Sequence, residues 1–196
     1  MKEYTQLKEH YKFTEEEALI LKKLQPRMEK LADTFIDEFY DYIWGFGRTA
    51  KYLKNNEIIS RHKIKIKAWF INLFSGKYDI SYFLSIYKIG EIHVQIGLPT
   101  HYVNSAFTFV RTFVLKSIEE NFENKEQHVR EINAVEKIID MNLDVLTSSY
   151  REEELGKFLS LSRTEKGILS SLKKFNSFLP RFYFSSNYYF YLIRLN

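Results

Sequence analysis

Cysteine is absent from the 196 residues of this chain. That excludes a disulfide scaffold, a thiolate zinc site, an iron–sulfur cluster and a cysteine nucleophile. Glycine and proline are scarce, at 7 and 3, too few to punctuate a many-stranded sandwich that turns every ~10 residues. No stretch approaches the ~18 uninterrupted apolar residues of a membrane span. The N-terminal MKEYTQLKEHYKF lacks the apolar segment of a secretory signal. Apolar residues, by contrast, make up 45% and aromatics 17%, enough for a large aromatic core. The expectation is a cytoplasmic, mostly helical protein of one domain, with at most an appendage.

Charge divides the chain. Residues 1–156 carry 22 basic and 24 acidic side chains, whereas residues 157–196 carry 7 and 1. The break near Gly156 marks a boundary. It separates a polar leader (1–13) and a folded domain (14–155) from a basic, aromatic tail (156–196).

The apolar spacing is helical throughout. Thr14-Glu15-Glu16-Glu17 reads as a capping box. The helix it opens is expected to stop at Pro26, with a second running from Met28 to Trp44. Gly45 and Gly47 end that one. A connector, 48–56, leads to a helix over 57–74, closed by Ser75 and a left-handed Gly76. Asp79 caps the next helix, which reaches about Ile96 before Gly97 and Pro99. Two long amphipathic helices follow, over 100–121 and 126–155. The fold class is all-α.

His93 draws attention because Ile86, Ile89 and Gly90 share its helical face, at offsets of 7, 4 and 3. An imidazole on an apolar stripe beside a glycine could coordinate a flat group that must approach closely. A core histidine bonded to a backbone carbonyl is the plainer reading of that face alone.

The string Ile89-Gly90-x-Ile92-His93-x-x-Ile96-Gly97-Leu98-Pro99 resembles the proximal segment of globin-coupled sensors, the haem-binding sensor globins of bacteria. Phe74-Ser75-Gly76 is similar to that family's turn between distal and proximal helices. Phe39-Tyr40 resembles the Phe-Tyr pair of its second helix, and Trp69 stands where many members carry Trp. The resemblance covers residues 14–155. It implies a globin fold, a haem b cofactor, His93 as the axial iron ligand, and Tyr40 as a hydrogen-bond donor to bound oxygen. Ile89, Ile96 and Tyr102 are then expected to line the cofactor. Two departures stand out: His62 takes a distal position that is often Leu, and His101-Tyr102 replaces a common Trp-Tyr pair one residue closer in.

The residue pattern is compatible with this. His62, Ile66, Trp69 and Leu73 fall on one stripe that would roof a flat apolar group, and Ile36, Tyr40 and Ile43 form another with one polar tip. For His62 three roles stay open: a second donor beside Tyr40, a sixth iron ligand, or a ring swung to solvent beside Arg61, Lys63 and Lys65. His10 and His128 read as surface residues, and His101 as structural or surface.

The last two domain helices carry Phe107, Val110, Phe113, Val114 and Ile118, then Ile132, Val135, Ile138, Ile139, Leu143 and Leu146. These stripes look wider than one globin core needs. In the resembled family such helices build a dimeric four-helix bundle, which implies a homodimer here. Residues 142–154 resemble the family's exit helix, yet the 40 residues after Gly156 are too few for a cyclase, kinase or signalling rod. A linker helix is expected over 155–172, then a loose or truncated tail. That tail is too unsupported to read as a nucleic-acid site.

The expected function is therefore a gas sensor, most directly of oxygen, rather than an enzyme. A peroxidase or oxygenase lacks support because no distal arginine is evident. The alternative is a haem-free globin serving as an interaction or stress-signalling module.

Overall fold

The capping box at Thr14 forms as its residue types require. The Thr14 N–H donates to the Glu17 carboxylate at 2.7 Å, and the Thr14 hydroxyl accepts from the Glu16 N–H at 3.3 Å. The structure, a computed structural model, describes residues 2–47, 51–119 and 124–162. Its elements are six α-helices: α1 Lys2–His10, α2 Glu15–Trp44, α3 Asn56–Asn72, α4 Ile80–Gln95, α5 Thr100–Glu119 and α6 Lys125–Ser162. All regular structure among the described residues is helical, as the periodicity required. The expected linker helix past residue 162 and the tail lie outside the described residues.

Two expectations at the N-terminal end are corrected. Pro26 does not stop a helix; it lies inside the 30-residue α2. An interior proline removes one backbone bond and costs about 3 kcal/mol. Pro26 and Lys22, whose carbonyl loses its helical partner, both lie on the exposed face, where water can serve that carbonyl. On the opposite face Leu21, Leu24, Met28 and Ala32 are buried on both sides of the proline. Each large apolar side chain so buried contributes roughly 1.5–3 kcal/mol, and continuity of that face outweighs the lost bond. The polar leader, in turn, is largely α1. The chain then turns through Lys12 (φ 48°) to bury Phe13 edge-on against Tyr78 at 5.2 Å.

The helix ends follow their sequence signals. Asn55 and Asp79 accept from the Ile58 and Tyr82 N–H groups at 2.9 and 3.0 Å. The sharp turn between α3 and α4 runs through Gly76 at φ 72°. A Cβ there would also lie 2.8 Å from the Lys22 side chain, so glycine is needed twice over. The Tyr78 hydroxyl donates to the Leu73 carbonyl at 2.6 Å and ties this turn to α3.

Aromatic rings join α2, α3 and α5. Phe35 stacks on Phe70 at 3.9 Å, and Phe113 meets Phe35 edge-on at 5.3 Å. The wide stripes of α5 and α6 are taken up by this same core. Phe107, Val110, Val114, Ile118, Val135, Ile138, Ile139 and Leu146 are all buried within the chain. Phe113, Ile132 and Leu143 of the same stripes are only half-buried.

Residues Met1–Arg151 form one compact unit, and Glu152–Asn196 a second. The described part of the second is the end of α6, with a Lys157–Glu153 ion pair along the helix at 2.6 Å.

Candidate functional site

The α2 face that buries Phe35, Ile36, Phe39 and Ile43 also carries Tyr40, whose residue is only 3% exposed. A buried phenol needs a partner. Its oxygen lies 2.7 Å from His62 Nδ1 and 3.2 Å from the Ile59 carbonyl, both on α3. The two rings meet edge to face at 5.8 Å. Burial pushes the Tyr40 hydroxyl up to about 12, so it keeps its proton. Burial, with Lys65 adding to it, pulls the His62 imidazole down to about 4. His62 is thus neutral near pH 7.

The solvated reading of His62 is set aside by this geometry. The cations around it have other partners: Arg61 pairs with Glu57 at 3.6 Å, and Lys63 with Asp37 at 3.7 Å. The Lys63 ammonium also sits 4.8 Å over the Tyr40 ring.

His93 occupies the last turn of α4 and is half-buried. Its Nδ1 is buried with no hydrogen-bond partner among the described residues. The carbonyl bond of an ordinary core histidine is therefore not made. Burial pulls this imidazole also down to about 4, and the His62 ring adds to that shift. The His62 ring is close enough to disfavour a charge on His93.

Gly90 plays a different part from the one its place beside His93 suggests. A Cβ at this position would lie 2.2 Å from the Leu146 carbonyl oxygen and 2.3 Å from Ser149 Oγ. The glycine lets α4 cross α6 at close range; it does not open the slot to a flat group.

The other expected residues divide. Ile66 and Ile89 are half-buried and packed on the core. Ile96, the C-cap of α4, is 49% exposed. Tyr102 packs edge-on against Phe46 at 5.6 Å and near Tyr52 at 6.3 Å. Trp69 turns its indole N–H to the Asn142 side-chain oxygen at 3.4 Å and its ring edge to Phe107. His10 and His101 are exposed, whereas His128 is half-buried.

Asn142 was not legible as more than part of an exit helix. It is wholly buried on α6, and its amide meets the Tyr82 hydroxyl and donates to the Ile138 carbonyl at 2.8 Å. Trp69, Tyr82 and Asn142 thus tie α3, α4 and α6 together. An amide on the stripe Ile138, Asn142 and Leu146, at offsets of 4 and 8, was the available signal. A buried amide must find partners.

Chemically, the site brings a half-buried, neutral His93 imidazole near a phenol–imidazole pair. Neutral imidazole is a metal ligand. No group of three or more His, Asp or Glu among the described residues is placed to hold a bare ion. One axial nitrogen near a polar pair suits a metal that arrives in its own macrocycle. The donor set therefore fits haem.

Comparison with known proteins agrees with this architecture. Residues 1–155 match the Protoglobin family. The globin domain of the Geobacter sulfurreducens globin-coupled sensor superposes with a TM-score of 0.72 at 42% identity, covering 75% of this chain and 97% of that one. The ferrous globin domain of E. coli DosC superposes with a TM-score of 0.63 over 73% of this chain and 99% of that one. At 19% identity it speaks for the fold alone. The heme-based aerotactic transducer HemAT of Halobacterium salinarum is 28% identical over 98 residues, half of this chain. The matched stretch spans 20% of that transducer's length.

Proposed function

The chain belongs to the Protoglobin family, and from that premise we propose that it is a haem-based gas sensor whose ligand is oxygen. The observation that carries this reading is His93, whose buried Nδ1 has no hydrogen-bond partner among the described residues. It lies near enough to the Tyr40–His62 pair for the His62 ring to act on it. His93 would hold the iron of haem b, with Ile66 and Ile89 against the macrocycle. Haem iron, when bound, would supply the site at which a diatomic gas binds reversibly.

The residues of the chain do the rest. His93 stays neutral because it is buried, so its ring nitrogen offers a lone pair rather than a proton near pH 7. Tyr40 and His62 place a donor on the far side of the slot, where a polar gas is favoured over an apolar one. Oxygen gains more from such a donor than carbon monoxide does. Nothing in the arrangement supplies a general acid paired with a nucleophile, and the reading is binding rather than catalysis.

The absorption spectrum of the purified chain tests this reading. An intense Soret band that shifts reversibly under oxygen supports it. A spectrum without that band would leave a haem-free interaction module as the better account. A homodimer through α5 and α6 would have to use their outer faces, where Val129 is 48% exposed. Sedimentation of the full chain decides that point. No helix among the described residues is long and apolar enough to cross a membrane.

A further inference from the structure

We propose that Tyr40 fixes His62 in the tautomer whose proton is on Nε2, making His62 the donor that faces the slot and Tyr40 the positioning residue behind it. The consequence for iron rests on the haem reading above; the tautomer itself does not.

Two protons, one of the Tyr40 hydroxyl and one of the His62 ring, are distributed over the Tyr40 oxygen, His62 Nδ1 and His62 Nε2, with the Ile59 carbonyl as an alternative acceptor. In one arrangement the Tyr40 O–H donates to Nδ1, and the second proton of the set resides on Nε2. In the other the Tyr40 O–H donates to the Ile59 carbonyl, Nδ1–H donates to the Tyr40 oxygen, and Nε2 keeps a bare lone pair. The tyrosine proton therefore decides what His62 presents to the slot.

Distance favours the first arrangement. Nδ1 is 2.7 Å from the hydroxyl oxygen, and the Ile59 carbonyl is 3.2 Å away. Chemistry favours it as well. A phenol is a stronger acid than a neutral imidazole, and an imidazole nitrogen is a stronger base than a phenol oxygen, so O–H···N is the better of the two bonds. The Ile59 carbonyl lies within α3, where the helical ladder already gives it the Lys63 N–H. It has no need of the tyrosine proton. The Lys63 ammonium over the Tyr40 ring makes the phenol a still better donor.

An Nε2 that carries a proton has no lone pair for a metal. Donor and sixth iron ligand are thus exclusive roles for His62, and Tyr40 selects the first. His93, whose Nδ1 has no such partner, is under no comparable constraint.

The test is a two-bond proton–nitrogen correlation on the full-length chain labelled with 15N-histidine, measured as purified and, where haem is present, as the ferrous protein under carbon monoxide. His62 is identified by the signals lost in His62→Gln. The expected result is Nδ1 in the unprotonated range and Nε2 in the protonated range. In Tyr40→Phe the two resonances should move towards each other as the tautomers begin to exchange. A protonated Nδ1 in the wild type overturns the proposal, as do His62 resonances that do not move in Tyr40→Phe. The wild-type measurement decides even where the variant fails to fold. With haem bound, the gas-free ferrous wild type should be high-spin and Tyr40→Phe should gain low-spin bands. Low-spin bands in the wild type that vanish in His62→Gln overturn it. A chain without haem sinks the gas-sensor reading and leaves the tautomer measurement standing.

Discussion

Two half-buried histidines of this protein, His62 on α3 and His93 on α4, are both kept neutral by burial and differ in what holds them. Burial lowers both imidazoles to about 4. On the α3 side, His62 is bonded through Nδ1 to Tyr40. On the α4 side, His93 has a buried Nδ1 that bonds to nothing described. Neutrality alone therefore does not make a ligand; the partner on the second ring nitrogen decides. His93 is free to bind a metal, and His62 is committed to its neighbour.

The largest expected effect breaks that comparison on the α4 side. His93→Ala should lose stoichiometric haem while its far-ultraviolet dichroism stays helical, whereas His62→Ala should keep the haem. Haem-to-protein ratios from absorbance check both. Full haem retention in His93→Ala would put the axial ligand elsewhere.

Next in size is a change to the helix that positions His93. Gly90→Ala drives a methyl group into the Leu146 carbonyl and the Ser149 hydroxyl. The backbone carbonyl cannot swing away as a side-chain end does. Overpacking of this kind costs about 1–3 kcal/mol, and the upper end is expected, with haem affinity falling as α4 is pushed outward. Urea melts and haem titration together measure it. A variant as stable as the wild type would show that α4 and α6 do not cross as described.

How much of this could be read in the sequence depends on range. Local signals were legible where the Thr14 box, the Asp79 cap and the left-handed Gly76 each act within a few residues, whereas the Asn55 cap lay inside what read as a connector. Pro26 misled because its cost is local, while the face that outweighs it runs from Leu21 to Ala32 on a helix packed against α3 and α5. His93 and Tyr40 were singled out through a motif; Tyr40 turns its hydroxyl to α3, where it meets His62 and Ile59. The role of Gly90 was not, since its spacing from His93 says nothing of Leu146, which comes from a helix 56 residues later in the chain. The Tyr40–His62 bond and the Asn142 junction joining Trp69 to Tyr82 likewise depend on helices meeting. Periodicity gives a face; it does not say which atom waits opposite.

Tyr40→Phe sharpens the comparison on the α3 side by freeing His62 to resemble His93. A hydrogen bond to a charge-bearing partner contributes about 1.5–3 kcal/mol. Tyr40→Phe removes only the bond that holds the His62 proton on Nε2, and not the donor itself. Oxygen release from the loaded protein should therefore accelerate by less than the tenfold that about 1.4 kcal/mol would give. Carbon monoxide release should change much less. Stopped-flow traces for the two gases check this, and equal acceleration of both would point to a steric role for the ring.

The smallest effect comes from a site remote from both histidines. Thr14→Ala removes the cap of α2 and should cost about 1 kcal/mol in urea melts. It should leave the ratio of oxygen to carbon monoxide release unchanged, because Tyr40 lies seven turns further along the helix. Glu17 gives this site a pH signature. Burial pushes its carboxyl up, but hydrogen bonds from Lys137 and from Thr14 outweigh that and hold it below the ordinary carboxylate value. A lowered folded value means that Glu17 stabilises the fold above the unfolded carboxylate range. That contribution is lost as the pH falls through the folded value. The gap between wild type and Thr14→Ala should therefore narrow in acid, as protonation of Glu17 ends its part in the capping box. A gap that stays constant with pH would show that the hydroxyl acts alone, without the Glu17 carboxylate and the Lys137 ammonium that joins α6 to this helix start.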